Sequence, residues 1–228
     1  MNENQKRILK LLGHFTYRRD AVTVFCDAVE YLTLRTVLAF DIANVRPRAD
    51  RMAEIISAYD KSDRLAFDAI CDEIVRMLGR MPDDFSDYLG EIYMAIDTGK
   101  KRGGQFFTPM SVSRLIAKMN FAATDVSKPV VTVGEPACGA GGMLMAVLEE
   151  LWAQGLNYTE RVLIVANDID RRCVHMCYLQ LAFAGAAAVV IHQDTITQRV
   201  LGETFITPAF ALQFGKFYPI YRSLCKSD

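Results

Sequence analysis

The residues best suited to chemistry lie in one string, Glu135-Pro136-Ala137-Cys138-Gly139-Ala140-Gly141-Gly142. It closes an apolar run, Val130 to Val133, and opens a helical pattern, Met143 to Trp152. A buried strand, a glycine-rich turn and a helix, in that order, hold nucleotide-like ligands at the carboxyl edge of a parallel sheet. Glycine serves there because it adopts φ > 0 and lets the backbone approach a ligand. The string is not a P-loop, since no Gly-Lys-Ser/Thr follows. Nor is it the Gly-x-Gly-x-x-Gly fingerprint, since its glycines fall at 139, 141 and 142. On spacing alone, a plain tight turn stays open. A second apolar run, Val162 to Ala166, ends at Asn167-Asp168-Ile169-Asp170. An acid at that point can accept hydrogen bonds from both hydroxyls of a ribose. Asp168 is the candidate and Asp170 the alternate; capping of the next helix is a compatible second role for Asp168. A third run, Ala188 to His192, ends at Gln193-Asp194-Thr195.

Read with Gly104-Gln105-Phe106-Phe107-Thr108-Pro109, the glycine string resembles the adenine-N6 DNA methyltransferases that form the modification subunits of type I restriction-modification systems. Asp87-Tyr88-Leu89-Gly90-Glu91-Ile92-Tyr93 is similar to that family's Asp-x-x-Gly-x-x-Tyr helix. The resemblance covers the chain from about residue 85 to about residue 210. It implies a Rossmann-like α/β fold and S-adenosylmethionine as cofactor. On that likeness Gln105, Phe107, Thr108 and Pro109 pack against the methionine part. Glu135, Pro136, Ala137, Cys138, Gly139, Gly141 and Gly142 wrap the cofactor, Asp168 holds its ribose, and Asp194 with Thr195 reaches its adenine.

The likeness breaks in two places. The family's catalytic Asn/Asp-Pro-Pro-Phe/Tyr is absent, and the nearest string is Thr207-Pro208-Ala209-Phe210, after the strand-like Glu203 to Ile206. N6 methylation needs acceptors on the exocyclic amine and an aromatic ring on the extruded base. Thr207 Oγ1, the Pro208 carbonyl and the Phe210 ring are the expected catalytic set. The chain also ends at Asp228, where the family continues through further strands and helices that join a specificity subunit. The expectation is a truncated methyltransferase fold without a duplex-reading domain, which favours single-stranded DNA, low sequence selectivity, and a protein partner that supplies recognition.

The elements that must position these residues divide at about residue 98. Residues 1–98 read as a helical domain and 99–228 as a Rossmann-like domain of alternating helix and strand, so a parallel sheet is the natural topology. Helices are expected over Lys6 to Phe15, Asp20 to Asp41, a segment with Pro47 in its first turn, Asp63 to Leu78, and Tyr88 to Ile96 capped by Asp83 or Asp84. With 51% hydrophobic residues the chain of 228 can bury a sizeable core. It has no signal peptide and no apolar stretch of bilayer length, so a cytoplasmic, reduced setting is expected for its six cysteines. Cys173 and Cys177 sit at i and i+4 and read as a buried helix face, with no metal expected. The net charge of −1 does not advertise a nucleic-acid binder. Basic clusters at Lys100-Lys101-Arg102, Arg171-Arg172 and Arg46 to Arg51 could still add a few phosphate contacts. Phe214, Phe217, Tyr218 and Tyr221 either close the core or stack on bases.

Overall fold

The computed structural model describes residues 1–15, 17–41, 44–81, 83–97 and 106–224. Among the described residues five α-helices come first: α1 (Glu3–Leu12), α2 (Ala21–Val37), α3 (Val45–Ser57), α4 (Lys61–Leu78) and α5 (Tyr88–Ile96). Their starts follow from local side-chain chemistry. Asn2 and Gln5 form a reciprocal capping box on α1. Asp60 caps α4 by accepting from the amides of Ser62 and Asp63. The cap of α5 is Asp87, which accepts from the Gly90 amide at 3.0 Å, and not Asp83 or Asp84. Asp84 is engaged elsewhere, by the hydroxyls of Ser86 and Tyr88.

After α6 (Met110–Phe121) the chain alternates: β1 (Val131–Glu135), α7 (Gly142–Ala153), the short α8 (Tyr158–Arg161), β2 (Val162–Asp168), α9 (Arg171–Phe183) and β3 (Ala187–Asp194). These three strands are parallel and in the order β1-β2-β3. The fourth strand, β4 (Arg199–Ile206), departs from the all-parallel expectation and pairs antiparallel with β3. A parallel return needs a crossover of a dozen residues or more. Only residues 195–198 separate β3 from β4, and Gln198 takes φ of 58° to close that turn. The last elements are α10 (Pro208–Leu212) and α11 (Phe214–Leu224).

Strand alternation divides the core between the two sheet faces. Val131, Val133, Ile164, Ala166, Ala188 and Val190 face α7 and α9 in one large cluster, which continues without a break into α2, α4 and α5. Thr33 of α2 donates to the carbonyl of His175 in α9. The helical segment and the sheet therefore share one core. Leu163, Ala187, Val189 and Ile191 point to the other face, where Phe210 and Phe217 cover them. Among the described residues no helix is long and apolar enough to cross a membrane.

Candidate functional site

The three parallel strands end side by side at Glu135, Asp168 and Asp194, and the glycine turn bridges the first two. Gly139 and Gly141 hold φ of 53° and 103°, the left-handed region where a Cβ is penalised. Space is as tight as torsion. A Cβ on Gly139 would stand 3.1 Å from the Phe107 ring, and one on Gly141 would stand 3.3 Å from Cys177. One on Gly142 would stand 2.8 Å from Asp87 Oδ2. The turn is stitched to β2 by two bonds: the Cys138 amide donates to the Asn167 carbonyl at 2.9 Å, and the Gly139 amide to Asp168 Oδ2 at 2.8 Å. Glu135 accepts from the Ala137 amide at 3.1 Å. Thr195 donates to the Pro136 carbonyl, which ties the end of β3 to the same turn.

These segments enclose a cavity of about 330 Å³, within the size range of small-molecule sites. Phe107, Thr108, Glu135, Ala137, Cys138 and Gly139 line it, joined by Gly142 and Asp168. The remaining expected residues stand around it. Pro109 precedes α6 beside the wall, and Gly141 and Pro136 lie within the turn. Asp194 bends back to accept from the amides of Ile196 and Thr197, so it shapes the hairpin after β3; those bonds, the Thr197 one foremost, hold its carboxyl below the usual range. Gln105 and the Lys100-Lys101-Arg102 cluster lie outside the described residues. The cap of α9 is Asp170, which accepts from the Arg172 amide, and this leaves Asp168 to the cavity. Asp168 uses one lone pair of each oxygen, on the amides of Gly139 and Asp170. A carboxylate has roughly four such positions, of which the described residues fill these two.

Two cavity supports escaped the residue patterns as site members. Asp87 lines the cavity and also accepts from Gln180 Nε2 at 2.8 Å. The same nitrogen donates to the Ala140 carbonyl at 2.7 Å, so α5, α9 and the glycine turn are locked together. Burial pushes the Asp87 carboxyl up, against the pull of its bonds from Gln180 and Gly90. The signal in the chain was Gln180, a polar residue in an otherwise apolar helix face; it is fully buried. Cys138 keeps its proton: its bond with Cys177 and its burial both push the thiol well up, which removes it as a nucleophile.

The expected catalytic set is not at this site. Because β4 runs backwards, its last residue, Ile206, pairs with Val189 near the start of β3. Thr207, Pro208 and Phe210 therefore follow at the amino edge of the sheet, the far end from the cavity. The Thr207 hydroxyl is fully buried, donating to the Ala186 carbonyl at 2.7 Å and accepting from the Ala188 amide at 2.9 Å. Pro208 opens α10, and Phe210 is buried against Phe217. Phe210 helps close the second core, and Thr207 ties the end of β4 to the start of β3. Of the aromatic cluster, Phe217 belongs to that core, whereas Phe214 and Tyr218 stack on each other at the surface, 4.4 Å apart. The basic clusters that are described are largely paired: Arg48 with Asp41 and Glu203, Arg51 with Glu30 and Glu54, Arg171 with Glu30, and Arg172 with Asp170. Among the described residues no three His, Cys, Asp or Glu side chains gather as a metal set.

Residues 83–211 match the family model described as N-6 DNA methylase. The chain is 30% identical over 121 residues to the type I restriction enzyme MpnII methylase subunit of Mycoplasma pneumoniae, covering 51% of this chain and 21% of that one. It is 33% identical over 95 residues to the type I restriction enzyme MjaIX methylase subunit of Methanocaldococcus jannaschii, covering 42% and 16%. The chain thus spans about a fifth of the length of these curated relatives. A crystal structure of a Listeria monocytogenes protein, provisionally assigned as a class I S-adenosylmethionine-dependent methyltransferase, aligns with a TM-score of 0.47 at 17% identity over 89% of this chain and 57% of that one.

Proposed function

Because the chain belongs to the N-6 DNA methylase family, we propose that it holds S-adenosylmethionine in the cavity at the strand ends and serves methyl transfer to the N6 amine of adenine in DNA. The observation that carries this reading is the glycine turn pinned between Glu135 and Asp168, with a cradle that any Cβ at Gly139 or Gly142 would invade. Bound there, the cofactor would supply an electrophilic methyl on a sulfonium. The chain's own part is positioning. Asp168 offers its other lone-pair positions to the ribose hydroxyls, and the glycine turn leaves room for the body of the ligand. Phe107 and Thr108, with Pro109 of the same string, cover the methionine end. Glu135, Pro136 and Cys138 hold the turn's shape, and Asp194 and Thr195 border the adenine end. Transfer would form the N–C bond from the amine lone pair as the S–C bond breaks with its pair left on sulfur, the surplus amine proton leaving to water. No base need act first, so orientation supplies most of the rate.

Single-stranded DNA is the substrate form we favour, read with little sequence selectivity. The formal charge of −1 supports few phosphate contacts, and a single strand spares the few kcal/mol of unpairing. The cytoplasm is the setting we infer, in keeping with the free thiols of Cys26, Cys71, Cys138, Cys173 and Cys177. A second reading, a cofactor-binding partner of a modification complex that transfers no methyl alone, draws support from the burial of Thr207 and Phe210 away from the cavity. Purified protein with methyl-labelled cofactor, offered single-stranded DNA, the matching duplex and RNA, separates the two. N6-methyladenine in the single strand supports the enzyme. Cofactor binding without transfer to any of them moves the assignment to the partner.

A further inference from the structure

One acid in the wall of the cavity at the strand ends is only half used by the chain. Asp87 lines that cavity together with Phe107 and Thr108. The same three residues line a neighbouring cavity of about 520 Å³ between α5 and the start of α6, so they form the wall between the two. Asp87 is 4% exposed. Its Oδ1 accepts from the Gly90 amide at 3.0 Å and from Gln180 Nε2 at 2.8 Å. Its Oδ2 accepts from none of the described residues, yet unlike Asn167 Oδ1 it keeps exposed surface, and that surface is on the cavity wall. Two glycines stand against this oxygen: a Cβ on Gly90 would come within 2.2 Å of it and one on Gly142 within 2.8 Å. Among the described residues no lysine, arginine or histidine lines the cavity at the strand ends; its other charged groups are Glu135 and Asp168. Burial pushes the Asp87 carboxyl up against its bonds from Gln180 and Gly90, and Glu91 pushes the same way as burial.

A buried carboxylate without a counter-ion is penalised by desolvation, and an opposite charge within about 4–6 Å restores its ionised form. One oxygen held by two neutral donors, with the other turned to a cavity, suits a single cationic hydrogen-bond donor. A metal ion needs several ligands, and no three His, Cys, Asp or Glu side chains gather for one among the described residues. The proposed cofactor carries two cationic groups, its sulfonium and the α-ammonium of its methionine end. The sulfonium has no hydrogen to donate and must face the methyl acceptor, whereas an ammonium has three N–H donors. Position agrees with that choice. Asp168, proposed for the ribose, holds the Gly139 end of the glycine turn, and Asp87 stands beside Gly142 at the other end. Phe107 and Thr108, which would cover the methionine end, share the wall with Asp87. We propose that Asp87 Oδ2 accepts a hydrogen bond from the α-ammonium of the cofactor and so selects ligands with a free amine at that end. The proposal rests on the reading of this cavity as the cofactor site, and it adds the residue that fixes which way the ligand lies along the turn.

The test needs no turnover. Three ligands are titrated into the whole protein by calorimetry: S-adenosylhomocysteine, its deamino analogue, and 5′-methylthioadenosine, which lacks the entire amino-acid end. The wild type should bind S-adenosylhomocysteine at least tenfold more tightly than the deamino analogue. Asp87→Asn keeps the shape and an oxygen for Gly90 and Gln180 but puts an amide donor where Oδ2 stood. It should weaken S-adenosylhomocysteine at least tenfold and leave the other two ligands at wild-type affinity, which also reports an intact fold. Glu91→Gln, on the neighbouring cavity and engaged by Gln5, should keep the wild-type preference for the amine. Equal affinity of the wild type for S-adenosylhomocysteine and its deamino analogue overturns the proposal, whatever the variants do. So does a loss in Asp87→Asn that falls equally on all three ligands while its unfolding temperature matches the wild type, since that marks a purely structural role. A preference that Glu91→Gln removes overturns it as well. Failure of the cofactor reading shows separately, as a wild type that binds none of the three, and the proposal falls with it.

Discussion

Asp168 Oδ2 accepts the Gly139 amide at 2.8 Å, so the end of the second strand clamps the turn that leaves the first. The same carboxylate is the one proposed to bind ribose, which joins turn geometry to ligand affinity in a single side chain. Asp168→Ala removes a bond to a charged acceptor, a contribution of about 1.5–3 kcal/mol, and its other lone pairs with it. Calorimetry should show S-adenosylmethionine binding weakened at least tenfold. An unchanged affinity would refute the ribose assignment.

Gly141 holds φ of 103° with Cys177 at 3.3 Å from the place of a Cβ. Gly141→Ala combines left-handed strain, on the order of 1–2 kcal/mol, with a contact that α9 must yield to. Thermal unfolding should shift down by several degrees and cofactor affinity should fall with it. Gly155, with φ of 80° and open space around it, is the control: Gly155→Ala carries the strain without the contact and should leave cofactor affinity unchanged.

Thr207 joins the end of β4 to the start of β3 through its hydroxyl. Thr207→Val keeps the shape and strands two buried backbone groups, at a cost of about 1–3 kcal/mol. Denaturant unfolding should register that loss while cofactor affinity at low temperature stays at the wild-type value. A fully stable variant that binds cofactor yet transfers no methyl would return Thr207 to the chemistry.

His175 is buried on α9, and burial, its largest influence, lowers its pKa from 6.5 to about 4. A depressed folded-state value means that the unfolded chain takes up the proton first. The neutral ring's contribution is complete above about pH 6.5 and is lost as the pH falls towards 4. The loss is on the order of 3 kcal/mol across that window. Urea unfolding between pH 7 and pH 4 should show this slope, and His175→Gln should flatten it.

The strand-turn-helix around the cavity proposed for the cofactor was legible in the chain because its determinants are local. The glycines at 139, 141 and 142, the apolar runs before Glu135 and Asp168, and the order strand-turn-helix are all read within a few residues of one another, and backbone torsion and strand alternation enforce them. What tertiary structure alone decided was direction and partnership. Thr207-Pro208-Ala209-Phe210 follows a strand wherever that strand goes, and pairing with β3 sends β4 to the far edge. The four residues between β3 and β4 carried that information, since so short a link permits only a hairpin. The Asp87–Gln180–Ala140 lock spans 93 residues between its two side chains, and no periodicity reports such a distance. Nor does any local pattern reveal that Asn167 Oδ1 is left without a partner among the described residues. Long-range packing determines which polar groups are satisfied, and so which remain open to a ligand.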